Sequence, residues 1–328
     1  MHEFEFRALP WNIVFGAGSR ARLPAELEKL GLHRALVLST PNQAGDAQAI
    51  VDLLGERAAG LFSEALMHVP VETVAKARTA VTQTGADCTV SFGGGSTTGL
   101  GKALALELPN IALPTTYAGS EMTNIWGMTE AGRKRTGRAD TVVPTLTVYD
   151  PELTLKLPAS IAGPSGLNAM AQAVVNLTSG AGNPVVRLFA LEAVRTLAQA
   201  LPRVVAQPED LEARSDALYG ACLAGASLGT GTTGLHHRLC HVLGGSFGTP
   251  HAETHTVLLP HTTAFNAPAV AASMSDLAAA LGAEDAVRAL FELAEAVGAP
   301  TTLEAIGVSQ GDLPRAAALA TETPISNP

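Results

Sequence analysis

The sequence predicts an α/β domain built on a parallel sheet, followed by a domain made of helices alone. Three observations carry this. Over residues 1–152, short apolar runs alternate with segments of helical period, the rhythm of strands joined by crossovers. Over residues 153–328 the apolar period is helical and no convincing strand is found. A glycine run, Gly93-Gly94-Gly95, directly follows an apolar strand, where parallel sheets collect their ligands. The length of 328 residues suits two domains.

In order, the first half reads as follows. A strand is expected at 11–15, then a Gly-Ala-Gly turn, then Ser19 as N-cap of a helix over 20–30. A buried strand over 33–39 ends in the turn Thr40-Pro41-Asn42, and a helix with spaced Ala, Ile, Val and Leu follows from 44 to 57. Strand 60–62, helix 71–84 and strand 88–92 lead to the glycine run. Strand 111–114 precedes a loop to Thr123, and strand 145–149 closes the domain at Asp150-Pro151.

Gly94, Gly95, Ser96 and Thr97 are the most informative loop. Glycines after a buried strand let backbone N–H groups approach an anion, and the positive end of the next helix favours phosphate. Ser96 is expected to cap that helix, and Lys102, in the same run, is a candidate cofactor contact. A tight turn with no ligand is the plainer alternative, and the polar and glycine content favours a pyrophosphate site. The spacing is neither GxGxxG nor a P-loop. Thr115, Thr116 and Ser120, in the hydroxyl-rich segment 115–123, read as the other wall of a nucleotide cleft. Arg133, Lys134, Arg135 and Arg138 read either as a solvated hairpin tip or as a patch that meets cofactor phosphate or an anionic substrate.

In the second half, helical periodicity marks 174–177, 185–201, 210–228 and 234–243, with Pro158, Pro164, Pro184, Pro202 and Pro208 punctuating the helices. From 322 the chain reads as extended, with no closing helix. Six of the nine histidines fall between Gly234 and His261. His237 and His241 share a helix face at i and i+4, Gly244-Gly245 is expected to end that helix, and a turn then supplies His251. These three are the candidate site, since imidazoles serve as proton donors, ligands or anion contacts. His236, His255 and His261 read as solvated or satisfied helix histidines.

Composition narrows the function. A net charge of −9 argues against a nucleic-acid partner. No apolar run reaches the ~18 residues of a membrane span, and the N-terminus lacks a signal peptide's basic and apolar regions, so a soluble cytoplasmic protein with no membrane partner is expected. Cys88, Cys222 and Cys240 are too scattered for a disulfide framework or a cysteine metal site.

VFGAGS at 14–19, GGGS at 93–96, PTTYAGSEMT at 114–123, YDPELT at 149–154, SGLNAMAQA at 165–173, HHRLCHVLGG at 236–245 and PHAETHTVLLPH at 250–261 resemble the iron-type (group III) alcohol dehydrogenases. More narrowly, TTYAGSEMT, LSTPNQ at 38–43 and the histidine stretch are similar to the maleylacetate reductase branch. The resemblance implies a Rossmann-like domain and a helical domain of dehydroquinate synthase-like fold with the site in the cleft between them, and a homodimer. It also implies reduction of the carbon–carbon double bond of maleylacetate, a small dicarboxylate, to 3-oxoadipate with NADH or NADPH. Metal-dependent members supply one Asp and three His where this chain has Asn168, Gln172, His237 and His251, a set that implies no catalytic metal, with both amides turned to substrate oxygens. Gly99 stands where many members carry Asp, and Thr40-Pro41 offers no carboxylate to select an unphosphorylated ribose, so both cofactors are expected to be tolerated. His241 or His251 is the expected proton donor to the enolate, with His237 orienting; Tyr117 and Arg138 are candidates for the substrate carboxylates. The chain also stops earlier than the family pattern, so a C-terminal helix is expected to be absent. An alcohol or aldehyde dehydrogenase of the same fold, and a nucleotide-binding protein without catalysis, are the alternatives.

Overall fold

The computed structural model describes residues 3–131, 133–180, 183–322 and 327–328. One unit is Ala8–Lys156; the other is Leu157–Pro328 with the N-terminal residues up to Arg7. The sequence reading placed this division at 152/153.

The first unit carries strands β1 (Ile13–Phe15), β2 (Ala35–Leu38), β3 (Ala58–Phe62), β4 (Cys88–Gly93), β5 (Asn110–Pro114), β6 (Ile125–Glu130), β7 (Arg133–Arg138) and β8 (Leu146–Tyr149). Its helices are α1 (Leu23–Lys29), α2 (Ala44–Leu54), α3 (Val71–Thr84) and α4 (Gly95–Leu104). The sheet is parallel, in the order β1-β8-β5-β4-β2-β3, while β6 and β7 form an antiparallel hairpin. The two-residue period of a strand explains the layers. Ala35 and Val37 of β2 face a core shared with Val90, Phe92, Ile111 and Leu113 and covered by Leu23, Leu27, Ile50 and Leu54. Leu36 and Leu38 face the opposite core, covered by Val74, Ala77, Leu100 and Leu104 of α3 and α4. Register aligns Gly93 with Pro114 and Ser91 with Leu38, so the loops after β2, β4 and β5 emerge side by side at the carboxyl edge.

Two expected caps are not made. Ser19 opens a 3-10 turn, Ser19–Arg22, and its hydroxyl donates to the Tyr149 carbonyl at 3.1 Å, so the α-helix starts only at Leu23. Ser96 lies inside α4, whose N-cap is Gly94 with no side-chain cap.

The second unit holds α5 (Ala159–Thr178), α6 (Pro184–Ala206), α7 (Leu211–Thr230), α8 (Leu235–Phe247), α9 (His251–Asn266), α10 (Ala271–Leu281), α11 (Ala286–Ala296) and α12 (Leu313–Thr321), with no strand among the described residues. Asn183, Asp210 and Asp285 cap their helices by accepting from backbone N–H groups of the first turn. Small residues set the closest approaches: a Cβ at Gly166 of α5 would lie 2.2 Å from Leu201 of α6, and one at Gly220 of α7 would lie 2.8 Å from Leu197. Pro164 and Pro202, expected between helices, lie inside α5 and α6. Gly244-Gly245 does not end α8. The helix runs on to Phe247 and stops at Gly248, whose φ of 71° is the left-handed turn. Interior glycine costs about 1 kcal/mol each, and packing of Cys240 and Leu243 against Val257 and Leu258 of α9 outweighs that. Residues 323–326 of the expected extended tail lie outside the described residues. No described helix is long and apolar enough to cross a membrane.

Candidate active site

In the first unit the candidate residues gather at the carboxyl edge of β2, β4 and β5. Gly93 has φ +151°, and a Cβ there would lie 2.6 Å from Thr97 Oγ1 and 2.9 Å from Gln43 Oε1. A Cβ on Gly94 would lie 2.8 Å from Thr116 Cγ2. These glycines therefore let three loops close over bare backbone. Gln43, which the sequence reading passed over, joins them: its Nε2 donates to Thr115 Oγ1 at 2.9 Å, and Thr40 Oγ1 donates to its Oε1 at 3.5 Å. Pro41 and Asn42 are exposed on the short 3-10 turn that follows Thr40. Gly95 is exposed, Ser96 and Thr116 are half-buried, and Thr97 Oγ1 is buried with no hydrogen-bond partner. An N-terminal helix turn lined by small residues, with an orphan hydroxyl behind it, suits a pyrophosphate.

Lys102 serves the loop instead of the opening. Buried in α4, its Nζ donates to the carbonyls of Ser120 and Thr123 at 2.8 Å each and to Thr123 Oγ1 at 2.9 Å. It fixes the 115–123 wall and does not extend toward a ligand. Burial pushes it down to about 7, with the Glu121 carboxylate opposing and Arg138 assisting. Glu121 is pushed up by its own burial and accepts from Tyr149 Oη at 2.7 Å. Ser120 Oγ is buried and makes no hydrogen bond.

Tyr117 is fully buried in the 115–123 segment. Arg138 is exposed at the end of β7; its Nη1 donates to Asn124 Oδ1 at 3.1 Å, and Asn124 Nδ2 donates to Asp140 Oδ1 at 3.0 Å. The basic cluster runs along the second strand of a hairpin, with Arg133 paired to Glu130 in register. The side chains of Arg133 and Lys134 lie outside the described residues.

In the second unit Asn168 and Gln172 are buried one turn apart on α5, which packs on α9, as α9 packs on α8. Asn168 Oδ1 is buried with no hydrogen-bond partner, as suits an oxygen meant for a ligand. His237 is buried on α8; His241 and His251 are exposed. After the turn at 248–250, His251 opens the first turn of α9, and this brings in His255 one turn on. The His251 and His255 rings are 4.6 Å apart, His237 and His255 5.2 Å, and His237 and His241 6.5 Å. His255 is thus the hub of an imidazole cluster. The i, i+4 spacing of 251 and 255 is the signal available in the sequence for this contact.

His236 and His255 are buried. His236 Nδ1 is 2.9 Å from Thr262 Oγ1 and its Nε2 is 2.9 Å from His255 Nδ1. Burial, assisted by His251 and His241, pushes His236 down to about 3, and His255 well below its ordinary value. Both are neutral imidazoles near neutral pH. His261 is exposed.

These two halves describe an oxidoreductase of the type that pairs a Rossmann-like unit with a helical one. Residues 10–151 match the model of the iron-containing alcohol dehydrogenases, and residues 163–328 match that of the C-terminal part of the Fe-containing alcohol dehydrogenase family. The chain is 52% identical over 328 residues to the maleylacetate reductase of Sphingobium indicum, covering 99% of this chain and 93% of that protein. The crystal structure of maleylacetate reductase from Agrobacterium tumefaciens superposes with a TM-score of 0.95 at 52% identity, covering 99% of this chain and 93% of that one. That of the enzyme from Rhizobium sp. strain MTP-10005 gives a TM-score of 0.94 at 51% identity, with the same coverage. The chain belongs to the iron-containing alcohol dehydrogenase family.

Proposed function

We propose that this chain is a maleylacetate reductase, an enzyme that uses NADH or NADPH to reduce the carbon–carbon double bond of maleylacetate to 3-oxoadipate. The observation that carries the reading is identity above one half to maleylacetate reductases along nearly the whole chain. A bound nicotinamide cofactor supplies the hydride. The backbone of Gly94 and Gly95 with Ser96 and Thr97 would hold its phosphates, and Thr40, Pro41, Asn42, Thr115, Thr116 and Ser120 would line the rest, with Lys102 positioning that wall. Assembly as a homodimer in the cytoplasm belongs to the same reading.

The residues at the family's metal positions do not suit iron. Asn168 and Gln172 are neutral amides, and with His237 and His251 they provide no anionic donor to a divalent ion. The NH2 groups of the Asn168 and Gln172 amides would donate to substrate oxygens, while an exposed imidazole, His251 or His241, donates the proton that the enolate needs. Stoichiometric iron or zinc, removed by a chelator together with all activity, would overturn the metal-free mechanism.

The decisive assay follows oxidation of NADH and of NADPH with maleylacetate and with simple aldehydes. Both cofactors should turn over, and kcat/KM for maleylacetate should exceed that for aldehydes by at least about 10²-fold, because amides that would pair with the dicarboxylate's oxygens would be left unpaired by an aldehyde. Aldehyde preference would make the chain an alcohol dehydrogenase; cofactor binding without turnover would leave it a binding protein. His251→Ala should lower kcat by roughly 10²–10⁴-fold. Full activity in that variant, with loss in His241→Ala, would transfer the proton to His241.

A further inference from the structure

Behind the imidazoles assigned to the reaction, a second group of side chains in the helical unit is assigned no step of it. His236 and Cys240 stand one turn apart on α8, and α9 brings His255 against both. All three side chains are buried, at 3%, 1% and 1% exposure. Cys240 Sγ is 3.6 Å from His236 Nε2, which is 2.9 Å from His255 Nδ1, and one ligand atom from each residue lies within 4.8 Å of the others. An i, i+4 pair on one helix with a third donor from a packed neighbour is a chelating geometry. The scatter of the cysteines argues against a cysteine metal site, with Cys240 beside His241 the one caution; the residues the fold brings to Cys240 are His236 and His255.

We propose that His236, Cys240 and His255 form a binding site for a soft, thiophilic metal ion, with monovalent copper the best match. Thiolate and imidazole donors select soft and borderline ions. Bonds of roughly 2.0–2.3 Å, as imidazole and thiolate make to a d10 ion, put ligand atoms roughly 3.4–3.7 Å apart in a trigonal plane. The Cys240–His236 spacing already meets that range. The two imidazoles need to part by about half an ångström, within side-chain adjustment.

Charge chooses the ion. On the Cys240 side the surroundings are apolar, with Leu243, Val257 and Leu258 in the same core, while the His237 and His251 rings flank His255. Monovalent copper with one thiolate is neutral and complete with three ligands, whereas divalent zinc would leave a net positive charge and an open position among buried side chains. The protons balance. Thr262 Oγ1 donates to the Leu258 carbonyl at 2.9 Å and so accepts from His236 Nδ1, leaving His236 Nε2 as a lone pair. His255 moves its proton from Nδ1 to Nε2, an atom engaged in no hydrogen bond, so nothing is broken on that side. The Cys240 thiol proton leaves to solvent. One proton is released for each ion bound, and no electron is transferred.

The test is an anaerobic titration of the intact protein against monovalent copper held by bicinchoninate, followed by loss of the complex's colour. Wild type should remove one equivalent more than Cys240→Ala or His236→Gln, while Cys222→Ala should match wild type. Copper should raise the melting temperature of wild type and of Cys222→Ala, and leave that of Cys240→Ala and His236→Gln unchanged. Uptake equal in wild type and Cys240→Ala would overturn the proposal, as would no uptake by wild type. If Cys240→Ala does not fold, X-ray absorption of copper-loaded wild type decides: one sulfur and two nitrogens support the site, and any sulfur-free shell rejects it. Tight zinc binding with copper refused would overturn the choice of ion.

Discussion

Gly101→Ala should both destabilise the α/β unit and weaken nucleotide binding by about 10²-fold, the scale on which a displacement near 1 Å acts in a positioned site. Gly101 lies in the middle of α4, where a Cβ would stand 1.9 Å from Ser91 Oγ and 2.6 Å from Asn110 Oδ1. Neither atom can retreat cheaply. Asn110 Oδ1 accepts from Ser91 Oγ at 2.7 Å and from Thr89 Oγ1 at 2.9 Å, all three residues being buried between β4 and β5. The helix must therefore move, and its first turn is the glycine turn assigned to the cofactor phosphates. Overpacking of this type costs about 1–3 kcal/mol. Gly99→Ala is the contrast: its Cβ meets only Val69 Cγ2, at 2.8 Å, the tip of a side chain that can shift. Melting temperature and nucleotide affinity by fluorescence should both fall for position 101 and hardly change for position 99. A Gly101→Ala protein with wild-type values of both would refute the account of why α4 sits so close.

Much of this arrangement was legible in the residues. Helix 71–84 came out with both ends as expected because its apolar period is clear and Gly85, in the left-handed conformation, ends it. The sheet was readable because strands such as Ala35–Leu38 are apolar on both faces, a pattern that requires cover on both sides. What failed depended on partners distant in sequence. Ser19 was expected to cap a helix, but Tyr149 offers its hydroxyl a carbonyl acceptor. Lys102 looked like a phosphate contact, yet the carbonyls of Ser120 and Thr123 take its protons. Gly244-Gly245 carries a stop signal locally, and packing of α8 on α9 overrides it. The histidines were harder still, since spacing cannot say which of six imidazoles share a pocket. His255, dismissed as bland, touches His236, His237 and His251.

That buried pair makes the protein acid-sensitive in a specific window. His236 and His255 titrate in the unfolded chain near pH 6.5, whereas in the fold burial holds His236 at about 3 and His255 well below its ordinary value. Between these limits the unfolded state binds protons that the folded state refuses, so stability falls as pH falls below about 6.5. Each group contributes about 1.4 kcal/mol per pH unit once the unfolded imidazole is protonated, so the two together take away about 2–3 kcal/mol per unit below about pH 6. Such a slope consumes a large share of the ~5–15 kcal/mol that separates folded from unfolded domains. Lys102, pushed down to about 7 by burial, acts in the same sense at higher pH, since the unfolded amine holds its proton up to its ordinary value. Glu121, pushed up by burial, acts in the opposite sense in the acid range. Urea midpoints at about pH 7.5, 6.5 and 5.5 should fall steeply over the last interval, and the double variant His236→Gln/His255→Gln should flatten that fall. If the fall is as steep without these two imidazoles, the acid sensitivity has another source and their neutrality in the fold is not what stabilises it.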